Sequence, residues 1–280
     1  MPAVLRPNAG SDLASLATNA VQDGDEWVVS GQKVWTSGAQ NADVAILLAR
    51  TDGDVPKHRG ITMLVLPMRQ PGVTVRPLRQ MTGVSEFNEV FMDEARIPLS
   101  WVVGARNDGW RMGTALLAHE RIATGTSSVS GSRTEKRKVG QSPLPAQQLI
   151  ELAQLHGRTS DPLVRNDLAI AYTGERIMRW LGQRGAHPSI GKLWRTKQGR
   201  FAADVAASLQ FPTGIAWDVD DTEADYWQYH LLNCRGMSLG GGTDEIQRNT
   251  LGERALGLPK EPVVDADVSF RDLLRNGVRG

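Results

Sequence analysis

Trp27-Val28-Val29-Ser30-Gly31-Gln32-Lys33-Val34-Trp35 is the first clear indication of the fold class of this chain. Two short runs of β-branched and aromatic residues flank Ser30-Gly31, a pair that is typical of tight turns. The pattern therefore predicts a β-hairpin in which residues 27–29 pair with residues 33–35.

Further apolar runs follow this hairpin along the chain. They predict strands at residues 44–49, 61–66, 73–75 and 90–92. Glycine and proline turn signals separate the runs, at residues 23–24, 52–53 and 70–72. Six short strands at this spacing indicate a barrel or sandwich and not βαβ units. We therefore predict a central β-domain over residues 1–107.

The character of the sequence changes near Asp108-Gly109, where small and aliphatic residues begin to dominate. Ser160-Asp161-Pro162 has a capping residue followed by proline, which marks the start of a helix. We predict an α+β fold, with a four-helix-bundle domain over residues 108–262 and an irregular tail over 263–280. The helices are expected at residues 110–130, from 162, at 189–209, 222–233 and 244–256, with a loop at 133–145.

The composition excludes several classes of protein. The chain has 280 residues and a formal net charge of +1, so it has no overall field that would attract nucleic acid. Cys234 is the only cysteine, which rules out an intrachain disulfide and cysteine-based zinc sites; no metal site is predicted. No apolar run approaches the roughly 18 residues of a membrane span, and the first residues are too broken by proline for a signal peptide. We expect a cytoplasmic bacterial protein.

Three stretches are more specific than the fold pattern. The first runs from residue 7 to 37 and contains Gly10-Ser11-Asp12 and Trp35-Thr36-Ser37; the second is His119-Glu120-Arg121-Ile122-Ala123; the third is Gly240-Gly241-Gly242-Thr243-Asp244-Glu245-Ile246-Gln247-Arg248-Asn249. Read in this order, they closely resemble the acyl-CoA dehydrogenase family, over residues 6 to about 262. The family fold has an N-terminal helical domain, a central β-domain and a C-terminal four-helix domain, and this chain matches the last two.

The resemblance implies an FAD site on the β-domain. Taken alone, Gly10-Ser11-Asp12 is an ordinary turn and Trp35 an ordinary core aromatic. By resemblance, Ser11 lies beside the flavin and the thioester arm of the substrate. Trp35 covers the flavin ring, and Ser37, with Thr36 before it, hydrogen-bonds that ring. An indole offers a flat apolar wall, and a hydroxyl can satisfy a ring nitrogen in a dry site.

The glycine-rich third stretch leads into a helix. Glycines permit close backbone approach, and a helix N-terminus offers unpaired N–H groups; the simpler interpretation is a helix capped by Thr243. By resemblance, Thr243, Asp244 and Glu245 approach the pyrophosphate and ribityl side of FAD. The backbone N–H of Gly241 binds the thioester carbonyl, and Gly242 contacts the substrate.

Glu120 is the predicted catalytic base. Its helical neighbours are small or apolar, so its carboxylate is expected to be partly desolvated and its pKa raised. The alternative is a solvated glutamate beside Arg121. Most relatives carry the catalytic glutamate just before the Gly-Thr of the third stretch, where this chain has Gly241. A minority carry it in a Glu-Arg pair on the first helix of the C-terminal domain, like Glu120-Arg121, and Arg121 is then expected near the substrate.

The resemblance thus implies FAD-dependent dehydrogenation of an acyl-CoA to a trans-2-enoyl-CoA in lipid metabolism, such as β-oxidation. Hydride would go to flavin N5, and an electron-transferring flavoprotein would reoxidise the flavin. We expect a homo- or hetero-oligomer, a dimer or tetramer. The N-terminal helical domain of the family has no counterpart here, so a mis-assigned start, a split enzyme completed by another chain, and a non-catalytic subunit or remnant stay open. A related flavin oxidase or monooxygenase is a further alternative.

Overall fold

The fold is that of a computed structural model. The structure describes residues 2–3, 10–126, 146–212, 214, 222–263 and 265–275, and the side chains of these residues except 2–3, 118, 120–126 and 222–225. The predicted loop at residues 133–145 lies outside them. The chain forms two compact units, which we call the β unit (Met1–His119 and Glu261–Gly280) and the helical unit (Glu120–Lys260).

The β unit contains one mixed sheet of seven described strands. They are β1 (Pro2–Ala3), β2 (Asn19–Asp23), β3 (Glu26–Ser37), β4 (Val44–Arg50), β5 (Ile61–Pro67), β6 (Val73–Leu78) and β7 (Phe87–Pro98). The order is β1-β4-β2-β3-β7-β6, and β5 pairs with β4. β4 runs parallel to β1 and β2, whereas the other pairs are antiparallel. The four strands predicted after the first hairpin are confirmed as β4 to β7.

The predicted hairpin at residues 27–35 is wrong. Residues 26–37 form the single strand β3, which pairs with the whole length of β7. Instead of turning the chain, Ser30-Gly31 forms an irregularity at which the register with β7 shifts. The turn lies earlier, at Gly24-Asp25, between β2 and β3. β2 was not predicted, because only Ala20 of its five residues is buried and it lacks an alternating apolar pattern.

The sheet has an apolar core on each face. Successive residues of a strand point to opposite faces, and Leu47 and Leu48 of β4 accordingly belong to different clusters. Leu47 packs in the larger core with Trp27, Val29, Leu64, Leu66 and Val90. Leu48 packs with Leu16, Ile61 and Met63, and Trp110, Met112 and Leu116 cover this second core. The last three residues belong to helix α1 (Gly109–Thr126), so the start of this helix completes the β unit.

Four helices of the helical unit surround one core: α2 (Ala146–Leu155), α3 (Pro162–Gln183), α4 (Pro188–Leu209) and α5 (Thr222–Asn233). Leu149, Leu152, Val164, Ala206 and Trp227 are buried together in it. The predicted start of α3 is confirmed, because the Asp161 carboxylate accepts hydrogen bonds from the backbone N–H groups of Leu163 and Val164, at 2.9 and 3.5 Å. Within the part of the chain that is described, no helix is long and apolar enough to cross a membrane.

Two short helices complete the chain. α6 (Asp244–Thr250) continues into a π-helical turn at Leu251–Ala255, where the sequence predicts one helix. α7 (Phe270–Arg275) lies in the segment predicted to be irregular, and that prediction is wrong over these residues. The helix forms because Phe270 and Leu273 are buried in the β unit, which supplies tertiary packing that the local sequence does not reveal. The predicted α+β fold class, with a β part followed by a helical bundle, is confirmed.

Candidate functional site

Trp35 has the most unusual backbone among the predicted site residues. Its φ is +59°, a left-handed conformation that is rare for a bulky side chain. It lies where the register between β3 and β7 shifts, between Lys33 and Thr36. Bulges of this kind redirect side chains, and such strain, about 1–3 kcal/mol, clusters at functional sites. The indole is 55% exposed and meets the Phe87 ring edge-on, with 5.7 Å between ring centroids.

Ser37 is exposed like Trp35, whereas Thr36 between them is buried. Asn88 fixes this backbone, since its amide donates to the Thr36 carbonyl (3.0 Å) and to Gln40 Oε1 (2.6 Å). The indole and the Ser37 hydroxyl are therefore accessible from solvent. The Thr36 side chain is not, so any contact of this residue with a ligand would come from its backbone.

The turn that carries Ser11 is anchored by its neighbours. Ser11 is exposed, and a 3₁₀ turn follows at Leu13–Ser15, with Ala14 buried. The Asp12 carboxylate accepts a hydrogen bond from the Ser15 hydroxyl and lies 3.2 Å from Lys57 Nζ. Burial alone would raise the pKa of Asp12, but these hydrogen bonds and the Lys57 charge lower it below its usual value. No local pattern in the sequence predicts Lys57 as this partner, because it lies 45 residues away along the chain.

The glycine-rich stretch of the helical unit is ordered by Gln247. Its side-chain amide donates to the Gly241 carbonyl at 2.7 Å, and Gln247 is itself buried. Gly241 and Gly242 have φ values of +66° and +84°, which L side chains rarely adopt. Thr243 caps α6 by accepting from the Ile246 N–H at 3.2 Å, so the capping interpretation holds. No described atom lies within 4 Å of the place where a Cβ on Gly241 would be.

Asp244 and Glu245 have opposite environments. The Asp244 carboxylate is buried and lies 2.7 Å from Lys192 Nζ on α4, so it is engaged inside the helical unit. Glu245 is exposed and lies 3.4 Å from an Arg248 nitrogen. Hydrogen bonds from its own backbone N–H and from Thr243 lower the pKa of Glu245. Of the two carboxylates, Glu245 is the one accessible from solvent. The sequence reasoning missed Lys192, whose partner lies 52 residues away along the chain.

Glu120 and Arg121 lie on the backbone of α1, and their side chains are outside the described ones. The helix is seated on the β unit one turn before Glu120, where Leu116 packs against the second core. Closer to its start, a Cβ on Gly113 would meet Leu48 Cδ1 at 3.1 Å, so the helix approaches β4 closely. The first half of α1 is thus fixed by packing.

Comparison with known proteins identifies the family. The family described as "Acyl-CoA dehydrogenase, middle domain" matches residues 6–95. The acyl-CoA dehydrogenase IpdE1 of Mycobacterium tuberculosis is 41% identical over 268 residues, which cover 91% of this chain and 66% of that protein. This chain belongs to the acyl-CoA dehydrogenase family. It spans just under two thirds of the length of this relative, and 34% of the length of FadE34 of M. tuberculosis, to which it is 38% identical.

Solved structures agree with the family assignment. The Tcur3481-Tcur3483 steroid ACAD has a TM-score of 0.80 at 28% identity, covering 93% of this family member and 68% of that chain. The ChsE4-ChsE5 complex from Mycobacterium tuberculosis has a TM-score of 0.75 at 28% identity, covering 93% of this chain and 69% of the other. The resemblance found in the sequence is therefore confirmed, together with the fold that it implied.

Proposed function

We propose that this chain is a subunit of an FAD-dependent acyl-CoA dehydrogenase that converts a saturated acyl-CoA thioester into a trans-2-enoyl-CoA. The observation that carries the proposal is the pair formed by Trp35 and Ser37. A strained bulge holds the indole in an exposed position, two residues from an exposed hydroxyl. An aromatic side chain in this exposed position adds nothing to the packing of the core, whereas a planar ligand would cover it.

The residues present fit an FAD. In the β unit, Trp35 supplies a flat apolar surface, and the hydroxyls of Ser11 and Ser37 are free of the core. In the helical unit, the proposed contacts of the pyrophosphate and ribityl side are the capping residue Thr243, the backbone of Asp244, and Glu245. The Asp244 side chain is excluded from this role by its ion pair with Lys192. When bound, the flavin would accept the β-hydrogen of the substrate, with its electron pair, at N5.

The protein's own part in the proposed reaction is proton removal and charge stabilisation. Glu120 would take the α-proton. The electron pair of the broken α-C–H bond would form the new double bond, while the β-hydrogen leaves with the electron pair of its own C–H bond. The thioester oxygen becomes more negative during this step. A backbone N–H of Gly241 donating to it would be worth on the order of 3–4 kcal/mol. Arg121 and Gly242 are the other proposed substrate contacts.

The nature of the acyl group and of the partners follows from relatives only. One solved relative is a steroid ACAD, so a steroid-derived acyl-CoA is the first substrate to test. That structure and the ChsE4-ChsE5 complex are each named after two different proteins. A hetero-oligomer, in which another chain completes the site, is therefore the preferred assembly, and a non-catalytic role within it is the second candidate function. An electron-transferring flavoprotein in the bacterial cytoplasm would accept the electrons.

The experiment compares Glu120→Gln with wild type, each purified alone and with a co-expressed partner chain. We expect both proteins to show flavin absorbance, and acyl-CoA oxidation by Glu120→Gln to fall by about a hundredfold or more, as for loss of a general base. Glu151→Gln is the matched control, because Glu151 is an exposed helical glutamate and a glutamine there can still pair with Gln147. Normal turnover in Glu120→Gln would refute the base assignment. Flavin binding without turnover in any assembly would favour the non-catalytic role.

A further inference from the structure

Lys57 of the β unit joins the turn that carries Ser11 to the C-terminal segment of the chain, residues 265–273. Its Nζ lies 3.2 Å from an Asp12 carboxylate oxygen and 2.9 Å from one of Asp265. The side chains of Lys57 and Asp265 are only 15% and 20% exposed. The Asp12 side chain is 44% exposed, so its pair with Lys57 lies nearer the surface. The Lys57–Asp265 pair is screened by salt much less than a surface pair, so it can hold Lys57 in place beside Asp12.

Arg50 makes a second link between the same two segments. Its guanidinium donates to the carbonyls of Ala14 and Lys57, both at 2.5 Å, and its Cζ lies 3.9 Å from the centroid of the Phe270 ring. Ala14 belongs to the 3₁₀ turn that follows Ser11. The turn is therefore held at Asp12 by Lys57 and at Ala14 by Arg50. Each of these cations also contacts the C-terminal segment.

The C-terminal segment is seated firmly enough to serve as an anchor. The backbone N–H groups of Phe270 and Arg271 donate to the carbonyls of Val55 and Gly53, at 3.0 and 2.9 Å. These acceptors lie in the connection between β4 and β5, which also carries Lys57. Backbone pairing of this kind fixes the segment along the connection, so Asp265 meets Lys57 from a defined position.

The charges of the cluster support the same arrangement. Partial burial lowers the pKa of Lys57, but hydrogen bonds and charges from Asp265 and Asp12 raise it above its usual value overall. The same contacts lower the pKa of Asp12, so Lys57 and Asp12 favour each other's charged forms. Removal of Asp265 would leave Lys57 with a single carboxylate partner, and removal of Lys57 would leave two carboxylates facing each other without a cation between them.

We propose that Lys57, held by Asp265 of the C-terminal segment, is a positioning residue that fixes the Ser11 turn for contact with the flavin and the thioester. The inference rests on the proposed function, in which Ser11 lies beside both groups. Lys57 touches neither group and acts through Asp12. A turn that is ordered before binding loses less entropy when the ligand arrives, so Lys57 contributes to the affinity of the site.

The first test is amide hydrogen exchange of residues 10–16 in the full chain, together with its partner if one is needed. Loss of a hydrogen bond between charged groups should raise exchange about tenfold in Lys57→Met and Asp265→Asn, with partial rescue in Lys57→Arg. The control is Asp54→Asn, which removes an exposed ion pair (3.1 Å) with Arg271 of the same segment but does not touch Asp12. It should change exchange by less than about twofold. Equal exchange in Lys57→Met and wild type would overturn the inference.

The second test measures FAD affinity and the KM and kcat for acyl-CoA in the same variants. Lys57→Met should weaken FAD binding or raise KM about tenfold while kcat changes less than about threefold, since the reacting groups are intact. A wild type that binds no FAD in any assembly would refute the proposed function, and hydrogen exchange would still decide whether Lys57 orders the turn. A wild type that turns over normally beside a Lys57→Met variant with unchanged FAD affinity and KM would refute the positioning role alone.

Discussion

His230 makes the stability of the helical unit depend on pH. It is buried on α5, where its ring meets those of Tyr226 and Tyr229 edge-on at centroid distances of 4.6 and 6.0 Å. Burial in this aromatic environment lowers the pKa of His230 to about 4, from 6.5 when it is exposed. The folded state therefore binds the proton less readily than the unfolded state. The contribution of neutral His230 to the stability of the helical unit is fully present above pH 6.5 and is lost as the pH falls from 6.5 towards 4.

The size of the effect follows from the difference between the two pKa values. The shift from 6.5 to about 4 corresponds to a loss of up to about 3 kcal/mol in the free energy of unfolding. Urea unfolding at a series of pH values between 7 and 4.5, with hydrogen exchange of α5 as a local probe, would measure it. His230→Gln replaces the imidazole by a group that does not titrate, so its curve should be flatter than that of wild type.

The comparison between wild type and variant isolates His230 from other titrations. Burial also lowers the pKa of His58 in the β unit, and carboxylates titrate at the acidic end of the range. These groups are present in both proteins and cancel in the difference. His156→Gln is a matched control, because His156 is an exposed histidine of the same unit. If His230→Gln showed the same pH slope as wild type between 6.5 and 4.5, the burial argument would be refuted.

Two further predictions concern packing. Gly72→Ala should destabilise the β unit by more than the ~1 kcal/mol that an alanine in a left-handed conformation costs, because its Cβ would lie 2.3 Å from the Asp93 carbonyl oxygen. Gly83 has a similar φ and open space around it, so Gly83→Ala should cost only about 1 kcal/mol. Leu149→Ala should cost about 2–5 kcal/mol, because Leu149 is fully buried in the helical core, whereas Leu155→Ala on the same helix should be nearly neutral, since Leu155 is 75% exposed. Denaturant titrations measure all four variants, and equal losses within either pair would contradict the packing assigned here.

The elements that the sequence predicted well are those with a strong local signal. The start of α3 is marked by a capping residue and a proline, and the structure has the helix there. β4 and β5 are continuous apolar runs because both faces of these strands are buried. Ser30-Gly31, in contrast, has the local signature of a turn, and only pairing with the distant strand β7 keeps the chain extended. Local patterns cannot distinguish a bulge from a turn when the partner strand lies about 60 residues away.

The candidate site also combines features that local sequence patterns predict with features that depend on distant residues. Trp35, Ser37 and Thr243 could be predicted as site residues because they lie in stretches with a recognisable order. The burial of Asp244 against Lys192 and the anchoring of Asp12 by Lys57 depend on residues that are distant in sequence. A carboxylate in a motif looks the same in the sequence whether it faces a ligand or an internal cation. Only the fold separates Asp244 from Glu245.

The β unit is discontinuous in the sequence, and this has a consequence for its synthesis. Residues 265–273, which Lys57 and Arg50 hold, are translated only after the whole of the helical unit. At ~5–20 residues per second, the ribosome needs about seven to thirty seconds for the intervening residues 120–260. During this interval the nascent β unit lacks residues 265–273. Of the two carboxylate partners of Lys57, only Asp12 has then been synthesised. The Ser11 turn can therefore reach its final order only after residues 265–273 have been translated.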